Sequence, residues 1–190
     1  MRHIMLASLI TLPACVAGPE PETSTQQQPV TMASCPDDVP AAVVPAQDQD
    51  LAFALDATGV QNYACTDGAW RFIAPDAQLF QQSSSSSVGH HYAGPTWEYQ
   101  DGSSVVAGKL RDAIVDPSSI PWLLLVSKSH AGEEGRMTEI TSIQRLETAG
   151  GLAPASACTS GDTLEVPYTA TYFFYRTKSE ASKTNLRCGG

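Results

Sequence analysis

The chain has 190 residues, with 11 basic against 20 acidic side chains and a net charge of −9. A surface of that sign repels phosphate backbones, which argues against a nucleic-acid partner. The length suits a leader, a linker and one core of ordinary domain size.

Arg2 and the mainly apolar run Ile4–Leu12 read as an export signal over residues 1–14. The run is too short for a bilayer span, which takes about 20 apolar residues. Leu12-Pro13-Ala14-Cys15 resembles a bacterial lipoprotein signal. That likeness implies lipid on Cys15 and hence a membrane partner through the N-terminus, with ordinary secretion after cleavage at Ala17 as the alternative. Residues 15–50 read as an acidic tether. They carry Gln26-Gln27-Gln28 and recurrent prolines, and no Lys or Arg falls between Arg2 and Arg71. Such a composition buries too little apolar surface to offset chain entropy. Cys35 is the point at which the tether could be pinned to the body.

From residue 51 to 190 the pattern predicts one mainly β domain, an antiparallel sandwich or barrel of eight or nine short strands. "VQNYACTDGAWRFIA" reads as a hairpin turning at Asp67-Gly68, with Tyr63 and Cys65 sharing a face before the turn and Trp70 and Phe72 after it. "QQSSSSS" (81–87) has no pattern and reads as a loop. "PTWEYQDGSSVVAGKL" repeats the hairpin design around Asp101-Gly102. "IPWLLLVSKSH" predicts a strand buried on both faces, "RMTEITSIQRLET" an alternating strand, and "TLEVPYTATYFFYR" an aromatic strand with an edge or break at Pro167.

Besides Cys15 there are four cysteines: Cys35, Cys65, Cys158 and Cys188. An even number in an exported chain predicts two disulfides, with three connectivities open. No C-x-x-C pair exists, which argues against structural zinc, and no metal is expected. His90 and His91 alternate on a strand and so face opposite ways. No phosphate loop, dinucleotide fingerprint or G-x-S-x-G elbow occurs, so no cofactor is expected.

The order "GVQNYAC", "GAWRFIAPDAQLF", "GHHYAGPTWEYQDGSSVVAGK", "IPWLLLV", "TSIQRLETAGGLAPASAC" and "VPYTATYFFY" resembles the domain-of-unknown-function family DUF 3455, over about Leu51 to Tyr175. The resemblance implies an exported domain without an established activity. It also implies a Cys65–Cys158 bridge. Cys35 and Cys188 lie outside the shared core and pair by parity alone.

The expected function is that of an exported, lipid-anchored envelope domain that binds a small polar or carbohydrate ligand. Its candidate contacts are His91, Tyr92, Trp97, Trp122, Gln144 and Arg145, because indole, phenol and polar side chains on adjoining strands combine flat faces with donors. Two alternatives stand beside it: a secreted hydrolase pairing His91 with Glu98 or Asp101, and a structural envelope protein. Asp101 is expected to serve chiefly as turn chemistry.

Overall fold

The computed structural model describes residues 34–179 and 186–189. The expected signal, Cys15 and the expected tether up to residue 33 lie outside the described residues. Eight antiparallel strands run in chain order: β1 (Gln49–Thr66), β2 (Ala69–Phe80), β3 (Ser87–Tyr92), β4 (Thr96–Tyr99), β5 (Ser104–Ala113), β6 (Trp122–Ala131), β7 (Ser142–Gly150) and β8 (Thr163–Thr177). Each pairs with its neighbours in sequence, and β8 returns to β1, so the sheet closes into an up-and-down barrel. Of the two expected architectures, sandwich and barrel, the chain adopts the barrel.

Local chemistry sets the turns. Asp67 and Gly68 both have positive φ, at 53° and 75°, the pair of conformations that a two-residue hairpin turn needs. Gly59 answers a different need. A Cβ built there would collide with the Asp76 carbonyl and with Ala77, so only glycine lets β1 and β2 approach at that point. Pro167 lies where β7 is ending: pairing stops at Gly150 opposite Tyr168, and the Pro167 carbonyl accepts from Gly151 N–H. Its missing N–H therefore falls at the end of the ladder.

The barrel interior is filled by one face of each strand, including Leu55, Leu79, Trp97, Val105, Ile143, Tyr172 and Phe174. A second apolar cluster lies outside the wall, where Trp122, Leu124, Leu146, Phe173 and Tyr175 pack with Val43 and Cys188. Val43 belongs to a short 3₁₀ turn, Ala41–Val43. The described part of the expected tether thus lies against the barrel. This outer cover explains the unbroken apolar runs "WLLL" and "YFFY", because β6 and β8 bury both faces.

Two stretches differ from expectation. The strand expected from Arg136 begins only at Ser142. Turn chemistry occupies the preceding residues: the Thr138 hydroxyl donates to the Gly135 carbonyl, and Met137 N–H donates to Ser103 Oγ. Met137 and Ile140 are instead buried in the barrel core and plug the end opposite the β1–β2 turn. Arg136 lies over the Phe53 ring at 4.7 Å and donates to the Tyr99 hydroxyl at 3.1 Å. In the serine stretch, Ser87 starts β3, and bonds from Ser84 N–H to Gln81 O and from Ser86 N–H to Ser84 Oγ close the loop before it.

Both disulfides are formed. Cys65–Cys158 ties the end of β1 to the β7–β8 loop, as the family resemblance implies, and Cys35–Cys188 joins the N-terminal arm to the C-terminal segment. Two disulfides in a small β domain fit an exported protein.

Candidate functional site

The barrel wall is incomplete on one side. The turn "YAGPT" ends β3 and starts β4 early, with Gly94 at φ 116° and the Thr96 hydroxyl donating to the Ala93 carbonyl. β2 therefore pairs with β3 only over Ala77–Phe80, and β5 with β4 only over Ser104–Val106. Above this short hairpin, residues 69–76 of β2 and 107–113 of β5 have no strand partner on that side. The notch between these two edges opens into a cavity of about 420 Å³.

Phe72, Pro75, Pro95 and Leu152 line the mouth beside the ion pair Lys109–Asp112, whose atoms are 2.9 Å apart. Ile120, Leu123 and Leu125 supply an apolar wall. At the inner end stand His91, Trp97, Tyr172, Gln61, Tyr63 and Arg145. The volume and the mainly apolar lining with a few polar groups are those of a small-molecule site.

His91 is buried, and its ring stacks on Trp97 with centroids 4.1 Å apart and planes 10° from parallel. Tyr172 meets the same imidazole edge-on at 5.1 Å. His91 Nδ1 lies 2.8 Å from the Thr96 carbonyl, which only accepts, so Nδ1 carries the proton and Nε2 is left as an acceptor. Burial pushes the His91 pKa down to about 3. The bond to Thr96 opposes that shift, and the positive charge of Arg145 adds to it. The ring is neutral at physiological pH.

Arg145 points inward beside Ile143 because β7 alternates. Its Nε and Nη2 donate to the Pro121 carbonyl at 3.2 and 2.9 Å, which fixes the guanidinium at the cavity wall. Among the described residues no carboxylate pairs with it. Burial raises the pKa of Tyr172, partly offset by Arg145, so the phenol stays protonated. Tyr172 and Tyr168 hydroxyls are 3.4 Å apart. The side-chain nitrogens of Gln61 and Trp97 are buried without a hydrogen-bond partner. The Gln61 amide interacts with the Tyr168 phenol but completes no hydrogen bond to it. Unsatisfied buried donors of this kind cost about 1–3 kcal/mol each. The Tyr63 hydroxyl donates to the Gly151 carbonyl at 2.6 Å and, with Cys65–Cys158, holds the loop that carries Leu152.

The structure brings together only three of the six candidate contacts. His91, Trp97 and Arg145 share the cavity. Tyr92 faces outward and donates to Glu98 at 2.9 Å. Trp122 is in the outer cluster. Gln144 is fully buried beneath the N-terminal arm, donating to the Val43 carbonyl at 2.6 Å and accepting from the Tyr175 hydroxyl at 2.5 Å. His90 lies on the outer face, 2.8 Å from Asp76. Neither carboxylate considered for hydrolysis is near His91. Glu98 is opposite His90 on the outside, and Asp101 is at the plugged end. There it accepts from Ser103 N–H and Oγ and from Arg136 N–H. Gln61, Tyr63, Phe72 and Tyr172 join the site beside these three. The signals for them are the strand-borne aromatics themselves and, for Gln61, its place as a polar residue in the row of β1 that continues through Tyr63 and Cys65.

A family model described as "Protein of unknown function (DUF3455)" matches residues 45–176. No curated protein and no solved structure matches the chain. The match spans the whole barrel apart from the last residue of β8, including every residue of the cavity, and the chain belongs to the DUF3455 family.

Proposed function

We propose that this is an exported, lipid-anchored envelope protein whose barrel binds a small amphiphile, an apolar body bearing one anionic group. The observation that carries the reading is Arg145: a guanidinium held in the wall of an apolar cavity, with no carboxylate partner among the described residues. Charges in such surroundings are ordinarily paired. A ligand carboxylate would supply the missing charge, and the apolar wall and the His91–Trp97 stack would cover its body. Neutral Nε2 of His91 offers an acceptor for a ligand hydroxyl.

A carbohydrate suits this cavity less well. It would bring several hydroxyls past Leu123, Leu125 and Ile120, and each one left unpaired costs about 1–3 kcal/mol. Hydrolysis by His91 with Glu98 or Asp101 lacks the necessary contact, and an imidazole with a pKa of about 3 is a weak base at neutral pH. The export half of the reading rests on Ile4–Cys15 and on the disulfides.

The test is calorimetric titration of the full chain carrying Cys15→Ser with decanoate, decanol and a chito-oligosaccharide. Decanoate should bind about ten-fold or more tighter than decanol, and Arg145→Gln should erase that difference while the fold still melts cooperatively. Binding of the oligosaccharide without decanoate, or equal binding of decanoate by Arg145→Gln, would overturn the reading.

A further inference from the structure

The large hydrophobic side chains exposed among the described residues gather around the cavity mouth. Phe72 and Leu152 line it, and Ile73 follows Phe72 on the free edge of β2. Leu110 lies between Lys109 and Arg111 on the free edge of β5, and Ile114 and Val115 continue the chain beyond that edge. Ile73 is 62% exposed and Ile114 72%. None of this class falls at the plugged end. Contiguous exposed apolar surface of this kind marks an interaction site.

Basic residues are interleaved with these side chains. Arg71 precedes Phe72, and Lys109 and Arg111 flank Leu110. Lys109 is engaged with Asp112, and Asp76 further along β2 is held by His90. Arg71 and Arg111 are exposed and have no ion-pair partner among the described residues. The mouth thus has an apolar rim that carries Arg71 and Arg111, on a chain whose net charge is −9.

We propose that this rim docks on a phospholipid bilayer, with its aliphatic side chains in the headgroup–acyl boundary and Arg71 and Arg111 among lipid phosphates. Exposed apolar side chains beside Arg and Lys are what an interfacial membrane contact requires. Two carboxylates belong to the rim itself: Asp112 is paired with Lys109, and Asp116, which follows Val115, accepts from Ser118 and Ser119. Acidic residues more than about 8 Å away are screened at physiological salt. A second copy fits less well, since a two-fold contact through this rim would set Arg71 and Arg111 of one chain against those of the other. Docked in this way, the notch faces the bilayer, and an amphiphile passes between lipid and cavity without crossing bulk water. The docking itself does not depend on what the cavity binds.

The experiment uses the full chain with Cys15→Ser, which removes any contribution from lipid on that residue. Co-sedimentation is measured with vesicles of phosphatidylcholine and with vesicles that also contain phosphatidylglycerol. The expected result is binding to both, stronger to the anionic ones. The double variant Ile73→Asp/Ile114→Asp should lose about ten-fold or more in affinity for both. Arg71→Ser/Arg111→Ser should lose only the preference for phosphatidylglycerol. Decanoate titration of the same variants separates the two readings, because rim changes should leave cavity binding in place. Independently, Ile73→Trp should be quenched by brominated phosphatidylcholine beyond the quenching of the native tryptophans. The proposal is overturned if neither vesicle binds, if the Asp pair leaves binding unchanged, if Ile73→Trp shows no added quenching, or if light scattering finds a dimer that the Asp pair dissociates.

Discussion

His91 lies flat on Trp97, 4.1 Å away, and the two residues are directly opposed on β3 and β4. The stack places a neutral, hydrogen-bonded imidazole at the inner end of a cavity where Arg145 has no carboxylate partner among the described residues. It also makes His91 sensitive to acid in a way that an exposed histidine is not.

The pH dependence follows from the pKa of about 3 in the folded state, against ~6.5 when unfolded. Between these values the unfolded chain binds the proton and the folded chain does not. The contribution of neutral His91 to stability is therefore complete above pH ~6.5 and is lost progressively as pH falls toward the folded value, by up to ~1.4 kcal/mol per pH unit. Urea unfolding between pH ~7 and ~5 should show this slope, and His91→Gln should flatten it. A ring resonance of His91 that titrates near pH ~6.5 in the native protein would contradict the assignment.

Gln144 is expected to matter for stability and not for binding. Its amide joins the Val43 carbonyl on the arm to the Tyr175 hydroxyl, which in turn accepts from Cys188 N–H. Gln144→Ala removes both links and opens a void in the outer cluster. The expected loss is about 2–4 kcal/mol, from unsatisfied groups and lost packing together. Decanoate affinity should stay as in wild type, because Gln144 lies outside the wall. A loss of binding with unchanged melting would place it in the site instead.

Asp101 should behave as a fastener between the β4–β5 turn and the plug. Partial burial disfavours its charge, but bonds from Ser103 and from Arg136 N–H outweigh that and leave its pKa below the usual carboxylate value. A lowered folded pKa means that the contribution is present above pH ~3.9 and is lost as pH falls through the folded value. Asp101→Ala should lower the melting temperature at neutral pH, and the gap from wild type should shrink in strong acid. Ligand and vesicle binding, both at the other end of the barrel, should be unchanged.

Much of the local structure was legible in the chain. Asp67-Gly68 announces its turn because few residue pairs accept positive φ at both positions. The opposite placement of His90 and His91 follows from strand alternation alone. The stretch "RMTEIT" misled because Met137 and Ile140 are apolar for the sake of plugging a barrel end, and alternation there coincides with turn bonding through Thr138 and Ser103. Trp122 and Gln144 misled for a different reason. Alternation separates two faces of a strand but does not say which faces the lumen when an arm buries the other.

The sequence by itself determined most of the strand content, the main hairpin turn, the alternation of faces within those strands and, through its family motifs, the Cys65–Cys158 bridge. Tertiary structure alone decided closure into a barrel, the covering of its outer face by residues around Val43, and the notch above the short β3–β4 hairpin. These depend on which strands outrun their neighbours once paired. Pairing joins residues far apart in the chain, as in β1 with β8, and no local pattern encodes the length of an unpaired edge.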